Sequence, residues 1–244
     1  MCQSCDDPSH QPSFERRNFL KLAGAAALGL MLPRQAGAAE PSAPPRPQNV
    51  IPPDEALTRL LKGNHRYVTG NMKSHDFITE RPALTMGQNP FAGILSCADS
   101  RIGPEYTFDT GRGDLFVCRV AGNFANKDSI ASFEYGVAVL NVPLIMVLGH
   151  AQCGAVDSTI KAVKDGATFP GHIPSLIKAI RPAVESVLHQ PGDLLNNAIR
   201  KNVLLSVAAL KSATPILSEA VQKGTLKIVG AVYDLSDGKV VLVG

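Results

Sequence analysis

The sequence predicts an α/β fold in which a mostly parallel central β-sheet is flanked by helices and ends in a C-terminal hairpin strand. Short apolar or β-branched runs alternate with helix-like segments along the chain, which is typical of α/β proteins. The runs are apolar on both faces, as expected for strands buried in a parallel sheet. The last two runs, "LKIVGAVYDL" and "KVVLVG", are separated by "SDG", which favours a hairpin.

The first predicted element is a helix that begins near Asp54, where acidic residues precede apolar residues at helical spacing in "DEALTRLLKGNHRYV". The next predicted strands are "FAGILS", "DLFVCRVA" and "VPLIMVLG". The helix-like segments among and after them are "SIASFEYGVAVL", "PSLIKAIRPAVESVL" and "LLNNAIRKNVLLSVAAL". Residues 54–244 are therefore predicted to form one domain.

Residues 1–38 are predicted to be a twin-arginine signal peptide. Arg16 and Arg17 in "RRNFLK" precede a mild apolar run and then small residues that suit cleavage. The run, residues 22–32, is too short to span a bilayer, which takes roughly 20 residues. Export to the periplasm, with the twin-arginine machinery as a transient partner, is therefore favoured over a retained membrane anchor. Residues 39–53 are proline-rich and predict an extended linker.

The charge of the chain gives no sign of a nucleic-acid partner. The 24 basic and 21 acidic residues leave a formal net charge of +3, and no cluster of lysines and arginines occurs. Cys2 and Cys5 form a Cys-x-x-Cys pair, but they lie in the segment predicted to be removed and are weak evidence for a metal site.

Three potential metal ligands lie just past predicted strands. Cys97 follows "FAGIL" and His150 follows "PLIMVLG", at the edge where open α/β sheets bind ligands. Cys153 comes three residues after His150, where a helix is expected to start, so that the two side chains share a face of its first turn. A helix N-terminus favours the thiolate, which is the form that binds metals. Two thiolates and an imidazole suit tetrahedral Zn²⁺, and three protein ligands leave one position free for catalysis.

Asp99 and Arg101 lie next to the first of these cysteines in "CADSR". An arginine two residues from an aspartate can pair with it and hold it ionised. Beside a metal-bound water, such an aspartate accepts the proton and orients the nucleophile. If it were unpaired, it could instead take the free metal position. An ordinary loop salt bridge is the alternative interpretation.

Together these residues resemble the zinc signature of the β-class carbonic anhydrases. The Cys-x-Asp-x-Arg of Cys97, Asp99 and Arg101 is followed after about fifty residues by the His-x-x-Cys of His150 and Cys153. The resemblance runs from about residue 52 to the C-terminus and includes "GQNPFAGILSCADSR", "GDLFVCRVAGN" and "GHAQCGAV". It implies a β-carbonic-anhydrase-like fold and a zinc lyase that reversibly hydrates CO₂ to bicarbonate and a proton, by attack of a zinc-bound hydroxide.

The resemblance also implies specific roles for individual residues. The zinc ligands, with one Zn²⁺ per subunit, would be Cys97, His150 and Cys153, and the catalytic dyad would be Asp99 and Arg101. The substrate-binding positions match Gln88, Phe116 and Tyr135. Some of these would reach in from a partner subunit, because the family is built on entwined dimers. A homodimer or a larger oligomer built from dimers is therefore expected.

The sequence departs from the family at two places. Many members read "RNxAN" where this chain has "RVAGN", so the pocket wall near Ala121 and Gly122 is expected to be smaller. Members with a non-catalytic bicarbonate site carry a tryptophan three residues before the first cysteine. That position is Ile94 here, and the chain contains no tryptophan, so no bicarbonate switch of that kind is predicted.

Three other functions compete with CO₂ hydration. An enzyme of the same scaffold could hydrolyse carbonyl sulfide or carbon disulfide, since such relatives share the zinc ligands. A non-catalytic zinc-binding or redox protein would need neither Asp99 nor Arg101. A Cys–His hydrolase needs one nucleophilic cysteine beside its base, and a second cysteine three residues from His150 suits a metal better.

Overall fold

The computed structural model describes residues 51–244, so the predicted signal peptide and most of the predicted linker lie outside the described residues. The helices are α1 (Pro53–Val68), α2 (Arg81–Thr85), α3 (Pro104–Thr107), α4 (Lys127–Ala138), α5 (Gly154–Lys164), α6 (Ile173–Glu185), α7 (Leu194–Ser212) and α8 (Ile216–Gln222). The strands are β1 (Ala92–Ser96), β2 (Leu115–Arg119), β3 (Leu144–His150), β4 (Lys227–Tyr233) and β5 (Val240–Val243).

The strands form one five-stranded sheet in the order β2-β1-β3-β4-β5. The first four strands are parallel, and β5 pairs antiparallel with β4 across the short connection of residues 234–239. The predicted α/β class, the mostly parallel sheet and the C-terminal hairpin are all confirmed. The helix predicted to begin near Asp54 begins one residue earlier, at Pro53, with Asp54 and Glu55 in its first turn.

Burial in the sheet follows from strand position. Every residue of β1 and β3 is buried, because both strands lie inside the sheet with helices over both faces. The edge strands β2 and β5 are only partly buried. Runs that are apolar on both faces therefore mark the central strands, at whose ends the functional residues lie.

Helices cover the two faces of the sheet. On one face, Leu60 of α1 packs against Ile94 and Met146. On the other, Val203 of α7 packs with Leu95, Val147 and residues of α4 and α8. A third apolar cluster lies among α5, α6 and α7 and includes Cys97 and Cys153.

Helix α7 approaches β3 closely beside the functional edge of the sheet. A Cβ atom on Gly149 would lie 2.6 Å from Cγ2 of Val203, so glycine is needed for this approach. The first turn of α7 is capped by Asp193, whose side chain accepts a 2.7 Å hydrogen bond from the Asn196 N–H. The helix is thus held directly against the residue that precedes His150.

Among residues 51–244, no single helix has the length and hydropathy of a membrane span, and the pair α7 and α8, bent by 91°, meets that test by length and composition alone.

Candidate metal centre

The candidate site lies where the strand order reverses. The chain leaves β1 toward β2 on one side, whereas β3 lies on the other side of β1. In open α/β sheets the crevice at such a reversal, outside the carboxyl ends of the strands, is where ligands bind. Cys97 follows β1 directly and His150 is the last residue of β3, so both occupy this crevice.

One local prediction at this edge is wrong. His150 and Cys153 do not share a helical turn, because pairing with β4 continues through His150 and the Ala151 N–H also donates to the Tyr233 carbonyl at 2.9 Å. Gln152 then takes a φ of +54°, and Cys153 is the N-cap of α5 in an extended conformation. This turn, rather than helical spacing, brings Cys153 back toward His150.

The three candidate ligands nevertheless come together. The two sulfur atoms of Cys97 and Cys153 and a ring nitrogen of His150 all lie within 4.8 Å of one another, and all three residues are buried. Two thiolates on a tetrahedral Zn²⁺ at 2.3 Å would be roughly 3.8 Å apart. The cluster is therefore of the right size and donor chemistry to hold zinc with little rearrangement.

The imidazole of His150 is set up to be a ligand. Its Nδ1 lies 2.9 Å from the Ala151 carbonyl oxygen, an acceptor that makes Nδ1 the protonated nitrogen. The other nitrogen, Nε2, then carries a lone pair, and it is buried without a hydrogen-bond partner in the described structure. A buried acceptor without a partner is costly, and a metal ion would satisfy it.

The two thiols are electrostatically unequal. The neighbouring Cys153 side chain lowers the pKa of Cys97 from its ordinary value, against the opposing effect of burial. The pKa of Cys153 is raised, because the Cys97 sulfur beside it and burial both disfavour a second thiolate. Burial and the short distance between the sulfur atoms therefore oppose two thiolates at once when no cation is bound. A divalent cation is what would let both thiols ionise.

Gly122 gives the Cys97 sulfur a hydrogen bond that the sequence did not predict. Its N–H donates to the Cys97 sulfur at 3.2 Å. Gly122 has a φ of +86°, and a Cβ there would lie 2.4 Å from Cδ1 of Ile180. The glycine of "RVAGN" therefore allows a backbone donor to reach the sulfur, and the smaller pocket wall stays a prediction.

Asp99 and Arg101 form the predicted pair. The Arg101 guanidinium donates to both carboxylate oxygens of Asp99, at 2.9 and 2.7 Å, and its backbone N–H donates to Oδ1 at 3.0 Å. These bonds, the side-chain ones above all, hold the pKa of Asp99 well below its ordinary value. Oδ2 of Asp99 lies 3.9 Å from Nε2 of His150, so the carboxylate borders the ligand cluster.

Arg119 holds the loop that follows β1, residues 97–102, and the sequence analysis did not identify it as a functional residue. Its guanidinium donates to the carbonyl oxygens of Cys97, Asp99 and Ile102, at 2.9, 2.8 and 2.9 Å. One side chain from the end of β2 thus fixes the backbone that carries both a ligand and the dyad. Its position at the carboxyl end of a strand next to β1 is a signal that sequence reasoning could have used.

The predicted substrate residues do not reach the cluster within one chain. Phe116 is in register with Gly93, four residues before Cys97, which is about 13 Å along the strand. Its ring stacks on Tyr135 of α4 at 6.3 Å, and Tyr135 is 50% exposed. Gln88 is exposed and precedes β1, at the opposite end of the strand from Cys97. Their assignment as substrate residues stays a prediction, and it requires a second chain.

Comparisons with known proteins agree with the resemblance. A sequence model of the family described as carbonic anhydrase matches residues 92–240. The chain is 38% identical over 191 residues to carbonic anhydrase 2 of Mycobacterium tuberculosis, covering 78% of this chain and 92% of that protein. It is 36% identical to the carbonic anhydrase of Mycolicibacterium smegmatis, covering 78% and 93%. Its fold is similar to a β-carbonic anhydrase from Coccomyxa solved with acetazolamide, with a TM-score of 0.61, 26% identity and coverage of 76% and 85%.

Proposed function

The chain belongs to the β-class carbonic anhydrases, and from that premise we propose that it hydrates CO₂ at a zinc ion held by Cys97, His150 and Cys153. The observation that carries the proposal is the buried cluster of two thiols and one unpartnered imidazole nitrogen beside an ion-paired aspartate. The relatives described above are named carbonic anhydrases, which favours CO₂ over carbonyl sulfide or carbon disulfide.

Each ligand has a defined contribution to such a centre. Cys97 and Cys153 supply two thiolates that balance the charge of Zn²⁺, and His150 supplies the neutral nitrogen that its Nδ1 hydrogen bond selects. Bound there, zinc supplies a Lewis acid that lowers the pKa of a coordinated water to about 7, which provides a nucleophile for CO₂ at neutral pH.

Asp99 is proposed to orient the nucleophile by accepting a hydrogen bond from it at Oδ2. That oxygen faces the cluster, 3.9 Å from Nε2 of His150. Arg101 occupies both carboxylate oxygens from the other side, so it keeps Asp99 ionised and restrains it from moving into the cluster. Arg119 holds the backbone between them, so the carboxylate keeps its orientation through the reaction.

The substrate half of the site is proposed to come from a second copy of the chain. Phe116 and Tyr135 form a stacked, partly exposed aromatic pair at the β2 edge. An aromatic surface at the edge of a sheet suits a dimer interface. In a two-fold dimer the aromatic pair of one chain would provide an apolar wall for CO₂ at the metal centre of the other.

Metal analysis and CO₂ hydration test the catalytic centre together. Purified protein is expected to hold about one zinc per chain and to hydrate CO₂ faster than it hydrolyses carbonyl sulfide. Asp99→Ala is expected to retain the zinc and lose activity by about 100-fold or more, because the nucleophile is no longer oriented. Full activity in this variant, or protein without zinc after loading, would refute the proposal.

Mixing two inactive variants tests the shared site. Asp99→Ala disables the centre of its own chain, whereas Phe116→Ala is proposed to impair the centre of its partner. A hybrid dimer would keep one intact site, so an equal mixture should recover about a quarter of wild-type activity after subunit exchange. If the mixture is no more active than the two variants measured apart, Phe116 acts within its own chain or not at all.

We also propose export by the twin-arginine pathway. Cys97 and Cys153 are free, buried and close together, so an oxidising compartment could join them in a disulfide before metal is bound. Because that pathway carries folded proteins, zinc can be inserted before export.

A further inference from the structure

A buried amide on α7 reaches the connection that follows β2. Asn202 is only 3% exposed, and its Nδ2 donates to the Gly122 carbonyl oxygen at 2.6 Å. The neighbouring Val203 is pressed against Gly149 of β3, so the position of the amide is fixed by the packing of the helix. The metal centre thus has a contact with a helix that carries none of its ligands.

The orientation of the Gly122 backbone decides whether Cys97 receives its hydrogen bond. The carbonyl group of Gly122 is bound by Asn202, while its N–H donates to the Cys97 sulfur at 3.2 Å. A glycine has no side chain to restrict its φ and ψ angles, so an external bond is needed to select one orientation. Asn202 provides that bond from within the core.

We propose that Asn202 is a positioning residue of the metal centre, which keeps the Gly122 N–H on the sulfur of Cys97. This inference rests on the proposed zinc site. A hydrogen bond to a thiolate ligand reduces the negative charge that the sulfur donates to the metal, and it fixes the direction of the sulfur. Partners of this kind commonly change metal affinity about 10–100-fold when they are removed.

Ser206 provides a matched control one turn further along the same helix. It is also buried, at 4% exposure, and its hydroxyl accepts a 3.3 Å hydrogen bond from the Ala125 N–H. Asn202 and Ser206 therefore tie the same connection to the same helix. Of the two, only Asn202 binds the residue that contacts Cys97. Ser206→Ala therefore shows the effect of losing a hydrogen bond between α7 and this connection that does not involve Gly122.

Cobalt binding separates a positioning role from a structural one. Co²⁺ replaces zinc in the purified protein, and the thiolate-to-cobalt charge-transfer absorption and the affinity against a chelator are measured. In Asn202→Leu, which keeps the branched arrangement of heavy atoms but has no donor, we expect the affinity to fall about 10-fold or more and the charge-transfer band to shift. Asn202→Gln, which keeps an amide donor, should recover part of both, and Ser206→Ala should resemble the wild type.

The outcomes distinguish the inference from the proposed function. Absence of the charge-transfer band in the wild type would overturn the zinc site itself. A wild-type band with an unchanged band and affinity in Asn202→Leu would overturn the role of Asn202, as would equal effects of Asn202→Leu and Ser206→Ala. If Asn202→Leu does not fold, Asn202→Ala carries the same comparison, with unfolding midpoints measured for every variant.

Discussion

Replacing Gly122 with alanine adds one methyl group at the most constrained point of the metal centre. The new Cβ would lie 2.4 Å from Cδ1 of Ile180 and 3.3 Å from both Cγ1 of Ile180 and Cβ of Ala155. The φ of +86° costs a residue with a Cβ about 1–2 kcal/mol. Overpacking against a full core costs about 1–3 kcal/mol. We therefore expect Gly122→Ala to lower the free energy of unfolding by about 2–5 kcal/mol.

The two contributions can be separated by shortening Ile180. Ile180→Val removes Cδ1 and leaves the nearest remaining contacts at 3.3 Å, an acceptable if tight distance. Urea unfolding of the wild type, both single variants and the double variant gives the coupling energy. We expect Ile180→Val alone to cost about 0.5–1.5 kcal/mol and the double variant to recover the overpacking contribution but not the backbone strain. Strictly additive effects would show that Ile180 is not the obstructing contact, and a Gly122→Ala loss below about 0.5 kcal/mol would refute the argument as a whole.

Three further perturbations have defined outcomes. Burial opposes ionisation of Asp109, but the ion pair with Arg66 outweighs burial and leaves the pKa of Asp109 below its ordinary value. The stabilisation by this ion pair is therefore present above about pH 4 and is lost as the pH falls below that value. The difference in unfolding free energy between the wild type and Asp109→Asn, measured in urea, should shrink between pH 7 and pH 3, and a constant difference would contradict the ion-pair argument. Free zinc at about 1,000 times its Kd stabilises the folded protein by about 4 kcal/mol. Chelation of zinc should therefore lower the melting temperature by about 10 °C, and recovery on adding zinc is the control. Replacing Arg16 and Arg17 with lysine should leave the protein in the cytoplasm on fractionation, and unchanged export would refute the twin-arginine proposal.

The sequence predicted the sheet and two of its functional ends because these depend on local pattern. The runs that end at Ser96 and Gly149 are apolar on both faces, and this pattern alone indicates central strands. Parallel strands end at a common edge, so Cys97 and His150 had to approach each other. Even so, the last residue of β3 was misjudged, because pairing with Tyr233 of β4 extends the strand through His150.

The contacts around the ligands could not be predicted, because they join distant parts of the chain. The Gly122 N–H reaches a sulfur 25 residues away, and Asn202 reaches a carbonyl 80 residues away. One signal was present in "LLNNAIRKNVLLSVAAL". Asn202 and Ser206 fall at helical spacing among the apolar residues that α7 buries, and polar residues on a buried face need partners. The sequence therefore indicates that these buried side chains need hydrogen-bond partners, but it does not identify the partners.

The proposed site has two parts: a metal centre that one chain completes, and a set of predicted substrate residues that one chain leaves exposed. Its ligands, Cys97 included, are buried within the chain, and their hydrogen bonds come from Arg119 at the end of β2, from the connection that follows β2 and from their own loops. Phe116 and Tyr135 lie instead on the edge strand β2 and on helix α4 beside it, where Tyr135 and the α4 C-cap Val139 are 50% and 56% exposed. Large apolar side chains exposed together beside an open sheet edge are typical of a surface that another chain buries. The proposed dimer would bury these side chains and also bring them to a metal centre. Metal binding would then need only the folded chain, whereas CO₂ binding would need the assembled dimer.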